Sequence, residues 1–405
     1  MKIEKFKGRS LLTAQNFYLV LLSLIWTKDT VWAYIVLIIG RLPYIGSFYQ
    51  MVYPTMIAFA LVFSLPHILE KCRGGDVLFY IGALLLVLLS YMIHPNTQIF
   101  VESYLIEIMM FFIPMYFVGL CCSYEECKRT LFCSSVIGCI IRFSFHVYYA
   151  YTGAIDQVYN MSASYKVLPA VMFMLIYAIN TRKLQHWLIA IAGVTGVFSY
   201  GTRGPVLAIV VFLIIGSYTL VVYSKKKLFY VLYILLSVLS IKVVTSENIM
   251  IKFAEKLSDL FNRYGFSTRL FDFFISGNIM ESNSRTVLKE KTLDAISENP
   301  FWGYGIMGDR VVLGTYCHNI FLELLCDFGV VLGTLFIVAL VAIIFIAIRK
   351  TWKTEYFFFV SGMIIAVVVK LMFSNSYIVE PDFFFMLGIS IAASRNTVPK
   401  EVRVL

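Results

Sequence analysis

Apolar runs long enough to cross a bilayer recur along almost the whole chain, and that recurrence leaves very few folds open. A hydrocarbon core about 30 Å thick takes roughly 20 residues of helix at 1.5 Å per residue. Apolar runs separated by polar or turn-rich breaks give approximate spans, some shorter than this, at 16–40, 50–69, 77–93, 100–120, 131–151, 167–180, 186–200, 205–223, 228–245, 319–348, 355–372 and 383–394. Lys28 and Asp29 interrupt the first, so it is the least secure. Inside lipid the backbone must satisfy its own hydrogen bonds, so each run reads as a helix. The expected fold is therefore an all-α polytopic membrane protein with about 12 transmembrane helices. Composition agrees, because 14% of the 405 residues are charged, against about 25% in a typical soluble domain.

Orientation follows from where the basic residues fall, since short cytoplasmic loops collect Lys and Arg. With the N-terminus inside, the inner connections hold Lys2 to Arg9, Lys71, Arg73, Lys128, Arg129, Arg182, Lys183, Lys225 to Lys227, Arg349, Lys350, Lys353, Arg395, Lys400 and Arg403. The short outer connections keep only Arg41, Lys166 and Arg203. Both termini are thus expected in the cytoplasm. The net charge of +10 is spread over these loops, which argues against a nucleic-acid partner. The basic start runs into Leu11 to Trp26 without a small-residue cleavage site, as a retained start does. The eight cysteines show no zinc spacing and read as reduced or buried thiols.

Three regions result: an N-terminal bundle of about nine spans over 1–245, an extracytoplasmic loop over 246–318, and about three further spans with a short tail over 319–405. In the loop, Met250, Phe253, Ala254, Leu257, Leu260 and Phe261 recur at helical spacing opposite Lys252, Glu255, Lys256 and Asp259. This predicts a helix lying in the membrane interface. Ser284 caps a second predicted helix from Arg285 to Asn299, with Pro300 just beyond it.

The loop and its neighbouring turn hold the chemistry. In Ser199-Tyr200-Gly201-Thr202-Arg203-Gly204-Pro205 the one charge, Arg203, lies between glycines. A guanidinium there suits phosphate oxygens, although an arginine snorkelling to lipid headgroups gives the same pattern. Arg285 opens a helix, where free amides already favour an anion. His318 precedes a long apolar helix and suits general-base work or hydrogen bonding to a hydroxyl. His67 and His186 fall near the inner face, His94 in a short outer turn and His146 on an apolar helix. Arg142 and Glu107 lie inside predicted spans at comparable depth and are candidates to meet.

Absences narrow the chemistry further. The first outer connection, 40–50, contains no Asp or Glu, so a metal-free mechanism without a cofactor is expected. No Walker-type phosphate loop is present, which leaves ATP-driven transport by this chain unsupported.

The turn Tyr200-Gly201-Thr202-Arg203-Gly204, the segment Ser284-Arg285-Thr286, the turn Asn299-Pro300-Phe301-Trp302-Gly303-Tyr304-Gly305 and the run His318-Asn319-Ile320-Phe321-Leu322-Glu323 together resemble the O-antigen polymerase and O-antigen ligase family of bacterial envelope enzymes. That resemblance implies a GT-C-like membrane glycosyltransferase taking glycan from undecaprenyl diphosphate in an outward-facing cavity of the bacterial cytoplasmic membrane. By resemblance Arg203 and Arg285 bind the diphosphate and His318 lies near the acceptor hydroxyl. Arg142, Asn319, Tyr316 and Arg310 complete the candidate substrate-binding set. Thr202 stands where serine is common in the family, and the loop is only about 70 residues. A polymerase is the expected activity, with a lipid-linked oligosaccharide as donor and acceptor and a chain-length regulator and flippase as companions. A ligase and a lipid-linked oligosaccharide flippase are the rival readings.

Overall fold

The computed structural model describes residues 13–28, 45–152, 161–199, 202–224, 231, 247–263, 268, 271–272, 275–276, 283–352 and 354–395. Every regular element among them is helical. In chain order these are α1 (Ala14–Thr27), α2 (Ile45–Lys71), α3 (Gly74–Ile93), α4 (Met115–Cys121), α5 (Tyr124–Thr152), α6 (Met161–Thr181), α7 (Leu184–Ser199), α8 (Arg203–Ser224), α9 (Glu247–Arg263), α10 (Asn283–Glu298), α11 (Gly308–Leu313), α12 (Ile320–Thr351), α13 (Glu355–Phe373) and α14 (Pro381–Arg395). The expected span at 228–245 and the second half of the first lie outside the described residues.

Four of these helices are long and apolar enough to cross a membrane: Gly74–Ile93, Ala163–Thr181, Ile320–Thr351 and Tyr356–Phe373. Helices approach most closely where side chains are smallest. Gly119 of α4 and Gly388 of α14 face each other, and a methyl at either would overlap the backbone of the other helix. Without a hydrophobic drive between helices in lipid, such close backbone approach is a main source of adhesion. The α1, α2, α4 and α14 side of the core closes on the α6, α7 and α8 side through α13, whose Phe357, Phe358, Phe359 and Val360 are buried.

Two expected spans are not continuous helices. The stretch 100–120 belongs to a pair, Pro95–Glu102 and Leu105–Cys121, bent by 72°. The Ser103 hydroxyl bonds back to the Ile99 carbonyl at 2.8 Å, which competes with helix continuation. A wide turn over Ile108–Phe112 then leads into Pro114, which has no amide to donate. The stretch 319–348 breaks at Gly329, with φ 71° and ψ 175°. In an unbroken helix Leu324 and Gly333 would lie about 13 Å apart, yet a Cβ on Gly333 would come within 2.6 Å of the Leu324 carbonyl. The chain therefore folds sharply at Gly329, and apolarity averaged along a window conceals this.

The turns sort into two ends of the bundle. At one end, Asp76 at the start of α3 accepts two bonds of 2.6 Å from Arg395 at the close of α14 and one from the Tyr116 hydroxyl. Lys71 pairs with Glu126 nearby at 3.5 Å. At the other end, the Ile306 amide bonds Ser90 Oγ at 2.7 Å and the His94 ring rests on Gly305. The Tyr316 hydroxyl reaches the Ser374 carbonyl at 2.7 Å. The segments 90–94, 305–318 and 374–380 thus meet above one face of the bundle.

Candidate active site

The break in α12 is what builds this end. Gly329 frees carbonyls that a straight helix would use internally, and the Asn299–Gly305 turn takes them up. The Tyr304 amide donates to the Cys326 carbonyl and the Gly305 amide to that of Asp327, both at 2.9 Å, while the Val330 amide donates to the Pro300 carbonyl at 2.6 Å. The glycine-rich turn is therefore a splint for a broken helix. Gly303 has φ 66°, and a side chain there would strike the backbone of Asp327 and Gly329, so the turn requires glycine.

Three carboxylates fasten the short helical piece Ile320–Phe328 to its surroundings. Asp309 accepts the Cys317 amide at 2.9 Å and Arg310 Nη1 at 3.1 Å. Glu323 accepts the Ser376 hydroxyl and the Tyr377 amide. Asp327 accepts the Gly308 amide at 3.1 Å and the Tyr377 hydroxyl at 3.0 Å. All three are at most 1% exposed, and Arg310 is 9% exposed. Burial raises the Asp309 carboxyl above its usual range, against the pull of Arg310.

Held by this frame, the segment Tyr316 to Asn319 forms the floor of the site. Asp309 fixes the Cys317 amide on one side of His318. On the other, Asn319 caps α12, its Oδ1 accepting from Phe321 and Leu322 at 3.0 and 3.2 Å. Between them His318 takes a left-handed backbone, φ 57°, a conformation histidine tolerates better than most side chains. Its ring lies 4.1 Å from that of Tyr316, and its buried Nδ1 has no partner among the described residues. Burial lowers the His318 pKa, Arg285 lowers it further, and the Phe373 carbonyl opposes both. Tyr316 is raised by burial while Arg310 and Arg285 pull it down. Arg285 is thus near enough to act on both Tyr316 and His318, and Arg310 on Tyr316. A guanidinium near a neutral imidazole can hold an anion and a hydroxyl at once.

Arg203 and Arg142 come from two other helices, α8 and α5. Arg203 opens α8, and the next residue, Gly204, leaves no room for a side chain beside the Tyr165 hydroxyl. Eight residues further, about 12 Å along the helix, Val211 lines an apolar cavity of about 310 Å³ with Ile320 and Phe321 of α12. Arg142 is buried in α5 with its guanidinium 6.0 Å from the Phe145 ring. It does not meet Glu107, which the 72° break leaves exposed on a short helix with no ion pair among the described residues. The amphipathic helix expected in the loop forms as α9, where Leu257 and Phe261 pack in one cluster with Phe198 and Val206 at the end of α7 and the start of α8.

Asp309, Glu323, Asp327 and Tyr377 carry much of the frame and were not among the sequence candidates. The available signal was Glu323 and Asp327, two carboxylates one helical turn apart at the start of an apolar run.

Residues 187–337, from α7 into α12, match the family model described as O-antigen ligase. No curated protein and no solved structure matches the chain. The matched segment, similar over these residues to the O-antigen ligase family, holds every motif on which the resemblance rests, from Tyr200 to Glu323, together with Arg285, Arg310, Tyr316 and His318.

Proposed function

We propose that this protein joins undecaprenyl-diphosphate-linked oligosaccharide repeats into an O-antigen or capsular polysaccharide on the outer face of the cytoplasmic membrane. The observation that carries the reading is the Tyr316–His318 ring pair, 4.1 Å apart at one end of the bundle, with the buried His318 Nδ1 unpartnered among the described residues and Arg285 near enough to act on both rings. In the reaction, the bond from the anomeric carbon of the growing chain to its diphosphate breaks. A new bond forms from that carbon to a hydroxyl at the non-reducing end of the next lipid-linked unit. Negative charge grows on the departing diphosphate, and Arg285, with Arg203 approaching from the start of α8, neutralises it. His318, kept neutral by its surroundings, orients the attacking hydroxyl and takes its proton. Arg310, Tyr316 and the amide of Asn319 hold the substrate, and no step calls for a metal or cofactor.

One close alternative is a ligase, the activity the family description names, in which the same machinery would transfer finished polymer to a lipid A core. Deletion of the gene followed by glycan electrophoresis separates the readings. Single-repeat products support polymerisation, unattached long chains support ligation, and loss of all surface glycan points to a flippase.

A further inference from the structure

Phe301 and Trp302 are 70% and 79% exposed although they sit in one of the most tightly held turns of the molecule. Asn299 bonds Gly303 twice, through its carbonyl at 3.2 Å and its amide nitrogen at 2.6 Å. Pro300 holds the Val330 amide, and Gly329 leaves no space beside the Phe301 carbonyl. Two large aromatic groups are thus displayed on a backbone that cannot move independently of α12.

Their level on α12 is informative. Residues 330–348 form an uncharged run of 19, followed at once by Arg349 and Lys350. At 1.5 Å per residue this covers about 28 Å, close to the hydrocarbon thickness of a bilayer. Val330 therefore marks one boundary of the hydrocarbon. From there Val331, Leu335 and Val338 continue the exposed apolar surface down the helix. Phe301 and Trp302 sit at the top of that surface, where aromatic rings suit the boundary between headgroups and acyl chains.

We propose that Phe301 and Trp302 form a bilayer anchor, seated in the outer headgroup and acyl boundary. The same turn holds the carbonyls of Cys326 and Asp327, and the helix carrying them begins beside His318. The anchor thereby fixes the depth of the candidate site relative to lipid phosphates. This inference rests on the chain being membrane-spanning and not on the transfer reaction, so the two can fail separately.

The test uses full-length protein in phosphatidylcholine vesicles whose acyl chains carry bromine either near the glycerol or near the terminal methyl. Wild type and Trp302→Phe are compared, because the emission lost in the variant belongs to Trp302. That component should be quenched at least about twofold more by the shallow bromines than by the deep ones, and little by aqueous iodide, as for a ring buried some 5–10 Å into the interface. Quenching by iodide without quenching by bromine would overturn the proposal and make the pair a platform for a soluble ligand such as a sugar. Equal quenching by both brominated lipids would overturn it as well.

Discussion

Both ends of the bundle bury carboxylates, but they treat them differently. At the Asp76 end, one acid meets one arginine in a two-point contact, with a tyrosine hydroxyl and the Arg73 amide taking the remaining oxygen positions. Charge at this pair is balanced and both oxygens of the Asp76 carboxylate are used. At the His318 end, Asp309, Glu323 and Asp327 are buried with Arg310 as their one close cation among the described residues, while Arg285 acts on His318 from α10. A histidine nitrogen is left without a protein partner among the described residues. The first arrangement fastens helices, and the second carries groups still able to act on something else.

The largest expected effect falls on the fastening. Arg395→Ala strands the buried Asp76 carboxylate, and loss of one partner of a buried pair costs roughly 3–5 kcal/mol. Because Arg395 is partly exposed, a loss near about 3 kcal/mol is expected. Thermal unfolding in detergent should show it, and protein that remains folded should keep its turnover. A stable variant with lost turnover would erase the contrast between the two ends.

At the other end the expectation reverses. Arg285→Lys and Arg203→Lys keep the charge but lose the planar two-point contact with phosphate oxygens. Each should retain expression and insertion while losing a contact of about 2–3 kcal/mol, which slows turnover roughly 30-fold to 150-fold. Near-normal rates for both lysine variants would leave these arginines as headgroup contacts.

Gly329→Ala probes the broken helix that supports the site. Its φ 71° and ψ 175° lie in a region nearly confined to glycine, and forcing another residue there costs about 1–3 kcal/mol. The added methyl would also press on the Phe301 carbonyl. Both melting temperature and turnover should fall, and a variant matching wild type in both would remove the splint from the account.

The smallest effect is a pH shift. Burial and Arg285 place the His318 pKa below its ordinary 6.5. Neutral imidazole therefore persists below pH 6.5, and activity that depends on it declines only as pH falls through the lowered value. Arg285→Gln removes a positive charge, raises that pKa and should move the acid limb of the residual activity to higher pH. An unmoved limb would separate Arg285 from His318.

The helical membrane fold was legible because a bilayer enforces it residue by residue: runs of apolar side chains can be read without knowing their neighbours. Arg285, Tyr316, His318 and Asn319 could be singled out as candidates because helix starts and short motifs announce themselves locally. The break at Gly329 was not, since one glycine in a long apolar run carries little local signal and its meaning depends on Asn299–Gly305 docking beside it. Asp309 was hidden for the same reason, as its partner is an amide eight residues away in a loop. The expected meeting of Arg142 and Glu107 failed because equal depth along two spans says nothing of their facing directions or of a 72° bend between them.

The central claim is that the His318 end performs glycosyl transfer while the Asp76 end only fastens the bundle. Purified wild type, His318→Ala and Arg395→Ala, matched in folded amount, should be given defined lipid-linked repeats and the products resolved by chain length. The account predicts long chains from wild type and Arg395→Ala, and unextended single repeats with His318→Ala. Chains of normal length and amount from His318→Ala would contradict it.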